Sequence, residues 1–136
     1  MADTIRSVDY FKLMIPNQPG AACGILDHFK AAGVNLLAFT GFPVGRKAQL
    51  DFVPADTKAF LAAAKKAKLR VGRAKSGFLV QGEDRVGAVC DVLAKLARHK
   101  INVTAVDAVS AGGGRYGTIL WVKPKDQARA AKALGA

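Results

Sequence analysis

The sequence predicts an α+β fold made of two ferredoxin-like βαββαβ modules, with antiparallel sheets and helices on one face. Three observations point there. The first is an internal repeat: NQPGAACGILDHFKAAGVN at residues 17–35 is echoed by DRVGAVCDVLAKLARHKIN at residues 84–102. The second is the order of hydrophobic periods, which runs strand, helix, strand, strand, helix in each copy. The third is the Pro, Gly and Asn/Asp chemistry of the turns that separate those segments.

A repeat of this length is a repeated supersecondary unit. With Gly20 set on Gly87, Cys23 meets Cys90, Leu26 meets Leu93, Asn35 meets Asn102 and Ala38 meets Ala105. After a short insertion around Gly112–Gly114 the register resumes, pairing Leu50 with Leu120, Pro54 with Pro124 and Asp56 with Asp126. In each copy the first strand, Tyr10–Ile15 or Phe78–Gln81, is short and rich in aromatic or β-branched residues. Turn residues stop it, and a helix follows with an apolar stripe at Ala22, Leu26 and Phe29, or at Val89, Leu93 and Leu96. Gly33 ends the first helix; Lys100 stands in its place in the second, where a cation suits the helix C-terminus.

The extended segments VNLLAFTGF and INVTAVDAV then lead through glycine-bearing turns into KAQLDFVP and YGTILWVKP. In these last strands Ala48, Leu50 and Phe52 alternate with Gln49, Asp51 and Val53, so one face is core. Asp56 and Asp126 follow a proline closely and are expected as N-caps of second helices. Leu69–Arg73 is expected to close the first copy as a fourth strand. The modules are expected at residues 1–74 and 75–136. The second stops after its second helix, which leaves a sheet edge open. Either Thr4–Val8 or a strand of another chain fills it.

The composition narrows the function. The chain of 136 residues is 51% hydrophobic and 23% charged, an ordered globular balance. It holds no run of 18 apolar residues, and its start carries no secretory pattern, so a soluble, cytoplasmic protein without membrane contact is expected. The net charge of +11 is spread evenly: 11 Lys/Arg against 5 Asp/Glu in residues 1–74, and 10 against 5 in the rest. Charge alone makes nucleic acid a possible partner. The densest basic stretch, Lys65, Lys66, Lys68, Arg70, Arg73 and Lys75, reads as the solvated end of a helix, and with no aromatics between the charges nucleic acid is not the expected ligand.

Asn17-Gln18-Pro19-Gly20, then a helix, then Gly33-Val34-Asn35 opening a strand, resembles the ACT domain, the small regulatory module of amino-acid metabolism. Asp84-Arg85-Val86-Gly87 and Lys100-Ile101-Asn102 resemble it too, with Val86 where proline is usual and Lys100 where glycine is usual. The two copies cover almost the whole chain, so the resemblance implies a stand-alone tandem ACT protein, a regulator without catalytic activity or cofactor. It also implies a small amino acid held at a module interface, one module giving its turn and the other its strand. Candidate ligand residues are therefore Asn17, Gln18, Pro19, Gly20, Asn35 and Leu36, with Asp84, Arg85, Gly87 and Asn102 in the second copy. The chemistry of the segment agrees. A helix N-terminus suits a carboxylate, glycine admits close backbone approach, and asparagine offers both donor and acceptor.

Other motifs carry less. Gly112-Gly113-Gly114-Arg115-Tyr116-Gly117 spells G-x-G-x-x-G, but it joins two strands and reads as a hairpin loop. Cys23 and Cys90 are expected as small buried residues, and His28 and His99 as surface residues. No catalytic constellation or metal motif is visible. Ile119 and Trp121 alternate away from the core side of their strand. They are expected to be exposed and to bury themselves against another protein surface, in a homodimer, a higher homo-oligomer or a complex with a metabolic enzyme.

Overall fold

Six strands and four helices are found among residues 3–136, which the computed structural model describes. In chain order they are β1 (Thr4–Pro16), α1 (Ala21–Ala31), β2 (Leu36–Val44), β3 (Lys47–Pro54), α2 (Thr57–Lys66), β4 (Lys75–Glu83), α3 (Ala88–Ala97), β5 (Val103–Gly112), β6 (Arg115–Val122) and α4 (Gln127–Leu134). A 3-10 turn at Pro124–Asp126 leads into α4. This is the expected α+β pattern, written twice. The chain forms two units, Asp9–Lys75 and, joined to the stretch that ends at Val8, Ser76–Ala136.

In the unit Asp9–Lys75 the order is β2-β3-β1, and β3 is antiparallel to both neighbours. Alternation sends Phe11, Leu13, Ile15, Leu50 and Phe52 to one face, where they meet Phe29 of α1 and Phe60, Ala63 and Ala64 of α2. Four rings dominate this core. Phe60 stacks on Phe11 at 5.1 Å and on Phe29 at 4.7 Å, and Phe52 lies 5.3 Å from both Phe29 and Phe60. Asp56 caps α2 as expected, its Oδ1 accepting the Ala59 amide at 3.1 Å.

The expected fourth strand at Leu69–Arg73 is not a strand. The Leu69 amide is spent closing α2 on Ala64 O, after Lys68 turns the chain with φ 58. A backbone bond from Gly72 N–H to Lys12 O, 2.9 Å long, ties the segment to β1, with Leu69 and Val71 packed against the core.

In the second unit the order is β1-β4-β6-β5. The neighbour of β4 is β1, whose stretch up to Val8 belongs to this unit, and Ile5 packs on its core. Of the two fillers for the open edge, the N-terminal stretch takes the place. The core is aliphatic apart from Phe78 and Tyr116. The fully buried positions of α3 are Ala88, Val92 and Leu96, so its stripe is centred one residue earlier than the expected Val89-Leu93 line, and those two are half-buried beside it. The Gly112–Gly114 run is the β5–β6 hairpin turn, with φ of 83°, 62° and 72°.

Three expectations are corrected here. Ile119 and Trp121 are only 5% and 8% exposed within a single chain, so neither offers an apolar surface to a partner. The alternation of β6 is real, but both of its faces are covered. Cys23 and Cys90 are exposed, because each lies off the buried stripe of its helix. Asp126 forms no capping bond to α4: its backbone is helical (φ −99, ψ −5), unlike the extended Asp56, and its carboxylate pairs with Arg129 at 3.1 Å.

Candidate functional site at the two helix-start turns

The first turn is open. Asn17, Gln18, Pro19 and Gly20 are all exposed, and backbone bonds hold them: Gln18 N–H to Pro16 O at 3.0 Å and Ala21 N–H to Gln18 O at 3.2 Å. Gly20 is the N-cap of α1 with φ 82, a left-handed conformation natural to glycine. A Cβ there would meet nothing within 4 Å, so its backbone angle, not close packing, demands glycine. No side chain caps α1, and no acid sits in its first turn. Its positive end is therefore uncompensated by the protein.

Beside this turn runs a groove of about 530 Å³, lined by Pro16 and Ile25 and by Lys12, Lys68, Arg70 and Lys75. No acid lines it. Of the basic stretch, Lys65 and Lys66 do end a helix as expected. The later cations lie beyond α2: the Lys68–Arg73 segment carries Lys68 and Arg70 to the groove wall, and the start of β4 carries Lys75.

The second turn is exposed as well, but its own chain engages the side chains of Asp84 and Arg85. Gly87 repeats the φ of 82 as N-cap of α3. Asp84 accepts the Ser110 hydroxyl at 2.8 Å, and its amide bonds Gly114 O. Arg85 donates to both carboxylate oxygens of Asp3, at 3.2 and 3.3 Å, to Asp91 Oδ2 at 3.2 Å and to Glu83 O at 3.1 Å. The Arg85 guanidinium holds the Asp3 carboxyl below the usual carboxylate range, against the opposing effect of burial. The two acids hold the Arg85 guanidinium charged well beyond its usual range. Burial and then Asp3 push the Tyr116 phenol up.

The strand starts lie elsewhere. Asn35 is exposed, its carbonyl accepting the Ala55 amide at 2.9 Å, and it lines a shallow groove of about 420 Å³ with Gly33 and Leu36. Leu36 is half-buried on the core, opposite Pro54. Asn102 is exposed between α3 and β5. In each unit the turn and the asparagine therefore stand at opposite ends of a helix. At 1.5 Å rise per residue the 11 residues of α1 separate them by about 16 Å. No small molecule touches both Gly20 and Asn35 of one unit.

Sequence reasoning missed Asp3, Tyr116 and Lys12. The first two join Arg85 only in three dimensions, 82 residues separating Asp3 from Arg85. Among the described residues no helix is long and apolar enough to cross a membrane, and no group of three or more His, Cys, Asp or Glu could hold a metal ion.

Residues 78–136 match the family model of the ACT domain. The matched segment starts within β4 at Phe78 and runs through the Gly87 turn, α3, β5, β6 and α4. No curated protein matches the chain. Solved structures share its fold. Protein BT0572 from Bacteroides thetaiotaomicron aligns with a TM-score of 0.78 at 13% identity, over 94% of this chain and 88% of that one. The regulatory subunit of aspartate kinase from Thermus thermophilus, in a ligand-free form, aligns with a TM-score of 0.63 at 16% identity, over 99% and 95%. The aspartokinase alpha and beta subunits align with 0.62 at 16% identity, over 98% and 95%.

Proposed function

We propose that the chain is a regulatory protein of the tandem ACT kind, without catalytic activity, that binds a small amino acid at the Asn17–Gly20 turn. The observation that carries this reading is the ACT match over residues 78–136, together with a repeat that writes the same turn and helix start at residues 17–35. The fold likeness to the regulatory subunit of aspartate kinase supports it. In the first unit the uncapped, acid-free start of α1 supplies the positive field a carboxylate needs.

Because Asn35 lies about 16 Å from Gly20 in its own unit, the amino group of the ligand is held by a second copy of the chain. The protein is then a homodimer or higher homo-oligomer, and in the cytoplasm it modulates a metabolic enzyme. The ligand acts by favouring one arrangement of the assembly over another, through its different affinity for the two.

A thermal-shift panel of the amino acids at millimolar concentration tests this. One of them raises the melting temperature by mass action, and Asn17→Ala together with Gly20→Ala removes the response. Silence across the panel overturns the reading. Salt-sensitive retention of DNA or RNA at physiological ionic strength would replace it with a nucleic-acid function of the Lys12–Lys75 groove.

A further inference from the structure

We propose that Arg85, Tyr116 and Gly82 form a carboxylate pocket in the second unit, that the chain's own Asp3 occupies it as a tethered ligand, and that releasing Asp3 opens it to free small monocarboxylates. The Asp3 side chain is 8% exposed, although the residue is charged and precedes the first strand. An ionised carboxylate loses its water only where protein groups replace it. Here the replacement is a fork: two guanidinium nitrogens of Arg85 reach the two oxygens, at 3.2 and 3.3 Å.

The pocket is built independently of the group that fills it. Arg85 is braced by Glu83 O and by Asp91 of α3, so its guanidinium keeps its aim when Asp3 leaves. Tyr116 of β6, its hydroxyl buried, also interacts with the Asp3 carboxylate. Gly82 of β4 forms the floor: a Cβ there would overlap the Asp3 carboxylate and press on the Tyr116 ring. A strand interior disfavours glycine, and this one makes room for an anion.

Tethering explains why the second turn is not a second open site. Asp3 is linked directly to β1, so its effective concentration at Arg85 is in the millimolar range or above, and a free carboxylate must compete with it. The N-terminal stretch thus completes the sheet of the second unit and guards its anion pocket. The proposal does not depend on what the Asn17–Gly20 turn binds.

Asp3→Ala removes the carboxylate and leaves a space the size of formate; Asp3→Gly leaves one the size of acetate. In D3A, added sodium formate raises the melting temperature above that given by equal sodium chloride and moves the Arg85 Nε–H resonance. Wild type shows neither change, and D3N shows neither because its amide still fills the pocket. Acetate does better with D3G than with D3A. Arg85→Met in the D3A background abolishes the response, and Tyr116→Phe weakens it. If D3A does not fold alone, the same comparison is read as formate-dependent refolding by circular dichroism. A folded D3A indifferent to formate, a wild type that responds equally, or a response that survives R85M overturns the proposal.

Discussion

The two units were written from one sentence and have been edited in different directions. Asp9–Lys75 packs its core around the rings of Phe11, Phe29, Phe52 and Phe60, whereas the second unit fills the same space with Val80, Val92, Leu96, Leu120 and Val122 around Phe78. On the opposite sheet face, Gln49 and Asp51 stand where the repeat puts Ile119 and Trp121, and all but Gln49 are buried. Asp51 meets its needs with Gln49 Nε2 at 3.1 Å and Thr40 Oγ1 at 3.3 Å. The first turn is open beside a basic groove; the second is locked by Arg85 and Asp3. Repetition preserves the backbone plan, and divergence decides which copy is left free to act.

The largest way to break the comparison is through the cores. Phe60 touches three rings and is fully buried, so Phe60→Ala removes its transfer energy and leaves a cavity, costing about 3–5 kcal/mol. Leu120→Ala, at a fully buried position of the other core, costs about 2–5 kcal/mol by the same mechanism. Urea denaturation followed separately by near-ultraviolet circular dichroism and by amide exchange reads which unit each variant loosens. F60A should release amides of Asp9–Lys75 first and L120A those of Ser76–Ala136. Equal loosening of both units by either variant would mean that the two cores melt as one.

Helix ends give effects of about 1 kcal/mol. Gly20→Ala and Gly87→Ala each force an L-residue to φ 82, costing about 1–2 kcal/mol in both copies alike. Asp56→Ala should cost about 1 kcal/mol, because it deletes the bond to Ala59 N–H, while Asp126→Ala, at a position with no capping bond, should stay within a few tenths. Lys100→Gly should do the reverse. Gly33 and Lys100 both end a helix in the left-handed region, at φ 72 and 55, and only one of them is glycine. Relieving the lysine is expected to add about 0.5–1 kcal/mol. Thermal melts of the five variants settle the ranking, and a destabilised K100G would show that its side chain does more than turn the chain.

Much of the backbone plan was readable because it is local. The period of two in KAQLDFVP and YGTILWVKP placed β3 and β6, and the spacing of Ala22, Leu26 and Phe29 placed α1 and its buried side. What could not be read is what lies across space. Alternation shows that a strand has two faces, not that both are covered, and so Trp121 and Ile119 looked exposed. Cys23 and Cys90 looked buried because they are equivalent, but equivalence fixes position and not depth. The two candidate turns were legible as turns; that one is closed by a carboxylate 82 residues away was not. Nor does the run from Lys65 to Lys75 announce that α2 stops at Lys66 and that Lys12 completes the groove.

The smallest effect is also the one most specific to the difference between the turns. The Arg85 guanidinium holds the Asp3 carboxyl below the ordinary carboxylate range, so the folded form binds the proton less readily than the unfolded form does. Such a carboxylate adds stability that is fully present above the unfolded value and is lost as pH falls through the lower folded one. Asp3→Asn removes that contribution at every pH. The stability difference between wild type and D3N, from urea curves at matched ionic strength, should be constant above about pH 5 and close as the solution is taken below about pH 4. Arg85 is 39% exposed, so the gap should be modest and should shrink in high salt. At the other end, the raised Tyr116 phenol favours the folded state below about pH 10 and loses that contribution as pH rises further, so Y116F should outlast wild type in alkali. A wild type whose acid sensitivity D3N leaves unchanged would place the titrating carboxylate elsewhere in the chain. It would also remove the ionic difference between the closed turn and the open one.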